Sequence, residues 1–417
     1  MSDSAAQGMH FEPSSEYNII RKQLDEFIKQ EVEPLEDEYE HFLGADGEEN
    51  RAAEDGRMDP EFFELTKEIR KKSAEAGYLT MHIPEEAGGG GVSTLHYCML
   101  LDHVYDRHPD GFHGYVLAHG PEGFQGPNPS LMSAYHDEYQ REKYFEPMMN
   151  VDKEFSFALT EPGHGSDVTW MDSNAEQDGD EWVLNGSKCF ISNAPMADFF
   201  VVSVRTSGED GSAYGISSFF VDADNPGIEV GKYQHNMGEA LAEHAFVHLD
   251  DCRVPDSQMI GEEGKGFFET AINYVGVARL TLAAFCCGYA QWMFDASIEY
   301  AEDRKTFGEP IGSNQFVQGM LSELRIDLEF VRWLYRHAAW KIDQGESERW
   351  LASAAKWKGS ELWNDAADTA VQIHGGSGVM DSLPFAYQYK KSRAPRIYDG
   401  TNEIQKRNIA RQFLDLD

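Results

Sequence analysis

From Phe155 to Ile260 the chain changes texture, and that change restricts its fold more than any other feature. Phe155-Ser-Phe-Ala-Leu-Thr, Glu181-Trp-Val-Leu-Asn, Phe199-Phe-Val-Val-Ser-Val, Ile216-Ser-Ser-Phe-Phe-Val and Ala245-Phe-Val-His-Leu are short runs rich in β-branched and aromatic residues. Turn residues such as Asn185-Gly186 and Asp224-Asn-Pro-Gly separate them. No helix-length period lies between them, so the segment reads as an antiparallel β-domain and not a nucleotide-binding βαβ unit. Before it, Glu16 to Asn150 reads as helical; Tyr17-Asn-Ile-Ile-Arg-Lys-Gln-Leu-Asp-Glu-Phe-Ile has apolar residues at helical spacing. The acidic stretch from Glu31 to Glu64 holds Gly44, Gly47 and Gly56, and is expected to contain an exposed loop before a helix opening near Met58-Asp59-Pro60. Gly88 to Gly91 reads as a flexible turn, since no Lys-Ser/Thr follows to make it a phosphate cradle. From about Lys265 the helical period returns, with helices expected over 266–303, 313–343 and 348–375 and a shorter one after Thr401. The expected fold class is α+β: an N-terminal helical domain (1–154), a middle antiparallel β-domain (155–262) and a C-terminal four-helix-type bundle (263–417).

Composition narrows the function. Asp plus Glu number 73 against 35 Lys plus Arg, a formal net charge of -38. Such a balance argues against nucleic acid and anionic membrane surfaces as partners. Salt relieves the self-repulsion, and the acids are spread through the whole chain, so a salt-rich cytoplasm and a halophilic source are expected, the alternative being a merely acidic mesophile protein. The cysteines Cys98, Cys189, Cys252, Cys286 and Cys287 form no CxxC and no metal-ligand spacing, as expected of reduced intracellular thiols and no metal site. The N-terminus has neither a basic region nor an apolar core of a signal peptide. The apolar stretch from Ala271 to Ala290 carries Arg279 near its middle, which suits a core helix with one functional arginine better than a membrane span. A soluble cytoplasmic protein without membrane insertion is expected.

Five motifs carry chemistry. They are Ala158-Leu-Thr-Glu-Pro-Gly-His-Gly-Ser-Asp167, Leu184-Asn-Gly-Ser-Lys-Cys-Phe-Ile-Ser-Asn193, Arg304-Lys-Thr-Phe-Gly308 with Gln315 and Gln318 downstream, Gln372-Ile-His-Gly-Gly376, and Ile397-Tyr-Asp-Gly-Thr-Asn-Glu-Ile-Gln405. Singly, each has a structural reading: Asn185-Gly186 as a hairpin turn, Gly375-Gly376 as a helix end. In this order and spacing the set resembles the acyl-CoA dehydrogenase family, over about residues 16 to 414 and most strongly from 155 onward.

The resemblance implies an FAD-dependent oxidoreductase acting on an acyl-CoA thioester, built as a homotetramer (a dimer of dimers). It places Phe157, Leu159, Thr160, Phe190 and Ser192 along the flavin edge, where donors stabilise added charge. Ser166 matches the position that holds the pyrophosphate and also borders the substrate. Arg304 and Phe307 match residues reaching the FAD of a neighbouring subunit; Gln315, Gln372, Gly376, Thr401 and Glu403 match further cofactor contacts. Arg279, Tyr398 and Gly400 fall at acyl-CoA positions. His164, in a glycine-flanked loop, reads as a surface residue.

The α-proton of a thioester is weakly acidic, so its removal needs a carboxylate in a water-poor pocket whose burial raises its pKa. The family's base in Tyr-Glu-Gly-Thr corresponds to Asp399 here, which keeps the carboxylate and shortens its reach by one methylene. The other location used in the family is Ala278 here, so no second base stands there. Aspartate at this position resembles a branch of larger acyl-CoA dehydrogenases with an Asn-Pro loop like Gly126-Pro-Asn-Pro129, and also the nitroalkane oxidases; the structural alternative is a cap for the helix opening at Thr401. Independently, residues 390–411 hold seven bases (Lys390, Lys391, Arg393, Arg396, Lys406, Arg407, Arg411) and the acids Asp399 and Glu403, which suits a phosphate-bearing ligand such as CoA or FAD, a subunit contact with acidic helices, or both. The expected reaction is α,β-dehydrogenation to a trans-2-enoyl-CoA, with electrons passed to an electron-transfer flavoprotein. The alternatives are an oxygen-using oxidase on this fold, for a nitroalkane or an acyl-CoA, and a catalytically silent flavin- or CoA-binding protein.

Overall fold

The computed structural model describes residues 13–109, 111–118, 126–237, 241, 244–346 and 349–414. The first twelve residues, read above as carrying no leader, lie outside this set.

The middle of the chain folds into one eight-stranded sheet: β1 (Phe155–Ala158), β2 (Asn174–Asp178), β3 (Glu181–Ser192), β4 (Phe199–Arg205), β5 (Ile216–Asp222), β6 (Ile228–Gln234), β7 (His244–Pro255) and β8 (Met259–Ile260). The strand order is β6-β7-β3-β2-β4-β5-β8, with β1 paired to β4. The long pairs β3 with β7, β4 with β5 and β6 with β7 are antiparallel, as the turn chemistry predicts. β1 departs from that expectation: it runs parallel to β4, because β2 and β3 intervene as a long return path. Every residue of β4 is buried, so its run Phe199-Phe-Val-Val-Ser-Val reads as a central strand without alternation.

Asn185-Gly186 is not a hairpin turn. It lies inside β3, where the register with β7 shifts between Leu184 and Gly186. Gly186 has φ +145, and a Cβ there would sit 2.1 Å from Ser173 Oγ. The glycine is needed for a bulge and a close approach, the other common use of such a pair.

The N-terminal part is more helical than its acidic composition suggests. Within the acidic stretch Glu33–Glu38 and Gly44–Asn50 are helices, with Leu35 and Phe42 buried in the core, and the non-helical segment before the next helix is confined to residues 51–59. Burial of these few apolar residues against Phe62 outweighs the poor local propensity. Asp59 caps the Pro60–Glu75 helix by accepting from the amides of Glu61 and Phe62 at 2.9 and 3.3 Å. The glycine run 88–91 is a turn whose amides are used locally: Gly91 N–H donates to Ile83 O at 2.9 Å and Gly90 N–H to Thr80 O at 3.3 Å.

Helices Ile272–Asp303, Gln315–Asp343 and Arg349–His374 pack with Thr94–Tyr105 around one large core. Alanines and cysteines at 283, 284, 286, 287 and 290 keep the first helix thin on its buried side. Gly359 completes that fit, since a Cβ there would lie 2.7 Å from Ala283 Cα. A last helix, Asn402–Phe413, docks on Arg349–His374 and brings the preceding turn to the bundle. Among the described residues no helix is long and apolar enough to cross a membrane.

Candidate functional site

Two segments of the sheet domain meet where the sequence expects the flavin edge. Beyond β1 the chain continues through Leu159 and Thr160, both half-buried, to the buried Glu161. Beside them β3 breaks its register between Lys188 and Ile191. The break turns Lys188 inward and Phe190 outward: Lys188 is fully buried, whereas the Phe190 ring is 63% exposed on a left-handed backbone with φ 56. Lys188 Nζ lies 2.7 Å from Glu161 Oε1 and 3.3 Å from Leu159 O. Cys189 N–H donates to Thr160 O at 2.9 Å. Burial pushes the Glu161 carboxyl up, but Lys188 and the amides of Ser173 and Asp172 outweigh it and hold the group below the usual range. Ser156 Oγ donates to Ser192 O, and Ser192 Oγ lies 3.3 Å from His244 Nε2. Phe157, Leu159, Thr160, Phe190 and Ser192 are thus held on one framework. Ser166 is exposed on the loop that follows. His164 in that loop is tied to Asp167 and Asp172 at 3.0 and 3.6 Å, and its bond to Asp167 raises its pKa.

The second centre is the turn that carries Asp399. Asp399 and Gly400 are both left-handed, with φ 56 and 82. A non-glycine residue in this region stores strain that its surroundings must hold. Three side chains from three helices do so. Arg279 Nε donates to Asp399 O at 3.4 Å. Gln405 Nε2 donates to Asp399 O and Gly400 O at 3.0 and 2.8 Å. Lys356 Nζ donates to Gly400 O at 2.9 Å and to Asn402 Oδ1 at 3.3 Å. Thr401, not Asp399, caps the final helix by accepting from Ile404 N–H at 3.2 Å, which leaves the Asp399 carboxylate out of that role. Burial raises the Asp399 pKa, opposed by the charges of Lys356 and Arg279. Burial lowers Lys356 to about 8, opposed chiefly by Asp399. Arg279 is lowered by burial too, again opposed by Asp399. Ala278 is buried beside Arg279 and offers no second carboxylate. Tyr398 is exposed next to the turn, and Glu403 lies exposed in the first turn of the helix after it.

A third group gathers at one end of the bundle. Arg304, Phe307, Gln315, Gln372 and Gly376 are all exposed there, above a small buried cluster of Ala301, Val317 and Ile373. Phe307 has φ 53 and stands fully exposed between the paired strands Lys305–Thr306 and Glu309–Pro310. A projecting ring of this kind suits contact with a second molecule. Gly375, with φ 61, ends the Arg349–His374 helix as its sequence suggests.

Sequence reasoning missed Lys356, Gln405 and the Lys188–Glu161 pair. The signal for Lys356 was present: in Leu351-Ala-Ser-Ala-Ala-Lys-Trp-Lys-Gly-Ser360 a lysine occupies a position in phase with the buried Ala352, Gly359 and Ser360.

Whether these residues fit an FAD is testable on the framework itself. An outward aromatic ring at Phe190, on a framework that also carries Thr160 and Ser192, offers a face and hydroxyl-bearing neighbours to a planar, polar-rimmed ring system. Models of the acyl-CoA dehydrogenase N-terminal, middle and C-terminal domains match residues 14–152, 156–252 and 264–414 in that order. The chain belongs to the acyl-CoA dehydrogenase family. It is an FAD-dependent oxidoreductase of the three-domain acyl-CoA dehydrogenase fold. Over 401 residues this acyl-CoA dehydrogenase is 33% identical to a 3-(aryl)acrylate reductase of Clostridium sporogenes, covering 96% of this chain and 99% of the relative. It is 34% identical over 351 residues to the caffeyl-CoA reductase-Etf complex subunit CarC of Acetobacterium woodii, covering 84% and 90%. Butyryl-CoA dehydrogenase from Megasphaera elsdenii superimposes with a TM-score of 0.80 at 26% identity, covering 97% of this chain and 99% of that one.

Proposed function

We propose that this acyl-CoA dehydrogenase removes the α-proton and β-hydride of a saturated acyl-CoA to give a trans-2-enoyl-CoA, with Asp399 as the base and an electron-transfer flavoprotein as the acceptor. The observation that carries the reading is Asp399 itself: a carboxylate raised by burial, on a strained turn, with its backbone tied down and its side chain free of the capping role. When bound, FAD supplies the two-electron acceptor for the β-hydrogen. Everything else falls to the chain. Asp399 takes the α-proton, and its raised pKa brings it closer to the weakly acidic carbon. The Asp399 backbone amide, held by the tied turn, serves as a donor to the thioester oxygen as negative charge develops there. Arg279 and Tyr398 border the acyl-CoA. Phe157, Leu159, Thr160, Phe190 and Ser192 hold the flavin edge, Ser166 the pyrophosphate, and Thr401 and Glu403 flank the cofactor from the base side.

Arg304 and Phe307 are assigned to the cofactor of a neighbouring subunit in a homotetramer, and Gln315, Gln372 and Gly376 to further cofactor contacts. Their exposure at one bundle end supports this, as does the exposed apolar row Phe316, Ile326, Phe330, Trp333 and Trp340 along Gln315–Asp343. Sedimentation at several salt concentrations tests the assembly. The relative that is a subunit of a reductase-Etf complex supports the flavoprotein acceptor. Two relatives named as reductases favour a second reading, in which the same hydrogen exchange runs toward the saturated thioester. The direction then depends on the redox partner and not on the base. Anaerobic addition of acyl-CoAs to oxidised protein, and of enoyl-CoAs to protein reduced by dithionite, tests both: absorbance changes in either experiment support the exchange, and none in both rejects it.

A further inference from the structure

We propose that Lys356 is the positioning residue of the base: from behind the turn it fixes the Asp399–Gly400 backbone, and its cation makes it easier for Asp399 to ionise. The inference rests on the reading of Asp399 as the base.

The geometry is that of a bracket. Lys356 comes from the Arg349–His374 helix, is fully buried, and donates to Gly400 O and Asn402 Oδ1. Ser360, one turn further along the same helix, donates to the same Asn402 Oδ1 at 3.1 Å. Gln405 binds the same turn from the final helix, through both Asp399 O and Gly400 O. The peptide carbonyls on either side of the Gly400 amide are therefore both engaged. This leaves the left-handed pair at 399 and 400 little freedom to relax toward ordinary backbone. For an aspartate, which is a methylene short of glutamate, such fixing matters more, since a misplacement of about 1 Å can cost about a hundredfold in rate.

The partners of Lys356 are also unusual. A buried ammonium is ordinarily matched by a carboxylate. Lys356 instead bonds only neutral oxygens among its described hydrogen bonds, so its charge is not neutralised by a direct ion pair. The titratable and charged groups around it are Arg279 and Cys286 on the Ile272–Asp303 helix, Glu403 on the final helix, and Asp399 in the turn. Arg349, on its own helix, acts on Arg279. Of these, Asp399 has the largest effect on Lys356, and Lys356 is the larger of the two cationic influences on Asp399.

The test uses 3-thiabutyryl-CoA, whose α-proton can leave but whose β-position is sulfur and cannot give a hydride. With the FAD-loaded protein, deprotonation then appears as a long-wavelength band without turnover. In Lys356→Met the pH midpoint of that band is expected to rise by about one unit, the low end of the effect of a nearby opposite charge. The limiting rate of flavin bleaching by butyryl-CoA is expected to fall by between about tenfold and a hundredfold. Ser360→Ala loosens the same turn without removing a charge and should leave the midpoint in place. Lys356→Gln keeps an amide donor and should show the same shift, so it carries the test if the methionine variant does not fold. A wild-type band with an unmoved midpoint in the lysine variants overturns the role of Lys356 alone. No band in the wild type, together with no bleaching by any member of an acyl-CoA panel, overturns the base assignment and this inference with it.

Discussion

The framework around Phe190 and the turn at Asp399 solve the same problem in different ways. Each carries a non-glycine residue at φ 56, Phe190 in one and Asp399 in the other, and each has a fully buried lysine close by in the fold. Lys188 meets Glu161 at 2.7 Å, and that carboxylate is further held by the amides of Asp172 and Ser173. Among its described hydrogen bonds Lys356 meets only neutral oxygens. The first lysine is a closed ion pair that fixes shape. The second keeps an electrostatic effect that extends to the neighbouring Asp399 carboxyl. A buried cation without a carboxylate partner is costly to maintain, which is the signature of a group retained for what it does to its surroundings.

This contrast gives ordered expectations. The largest effect belongs to Lys188→Met, which strands the Glu161 carboxylate and should cost about 3–5 kcal/mol in denaturant unfolding, with loss of bound FAD. Lys356→Met removes one donor from two neutral oxygens and should cost only about 1–3 kcal/mol. Equal losses for the two variants would break the distinction between closed and open lysines. Thr401→Ala removes the cap on Ile404 N–H and should cost about 1 kcal/mol, read as a small shift in the unfolding midpoint. Last comes a change whose sign matters more than its size. The folded-state pKa of Asp399 is raised, so its protonated form stabilises the fold below the ordinary aspartate range, and that contribution is lost as pH rises through the folded value. Asp399→Asn should therefore melt above the wild type at neutral pH, with the gap closing on acidification. A lower melting temperature at neutral pH would mean that the carboxylate stabilises the turn and does not strain it.

Much of this was readable in the sequence because it lies in periodicity and local motif. The long helices and the all-buried strand Phe199–Arg205 follow from their apolar spacing. The motif around Asp399 singled out the carboxylate that the structure raises in pKa and surrounds with Arg279, Lys356 and Gln405. What was not legible depends on contacts between distant segments. Asn185-Gly186 has the composition of a turn, but pairing with β7 and the approach of Ser173 make it a bulge. The acidic region near Gly44 folds into short helices because Phe42 finds Phe62. Lys356 lies 43 positions before Asp399. Only the packing of the final helix on Arg349–His374 brings it behind the turn.

The most direct test of the account is an anaerobic titration of the FAD-loaded protein, in potassium chloride, with a panel of acyl-CoAs while flavin absorbance is followed. The account predicts bleaching that saturates with at least one ester. It also predicts that Asp399→Asn keeps its FAD and loses this bleaching rate by about 10²–10⁴-fold. Bound FAD that no ester bleaches, or an asparagine variant that bleaches as fast as the wild type, would contradict it.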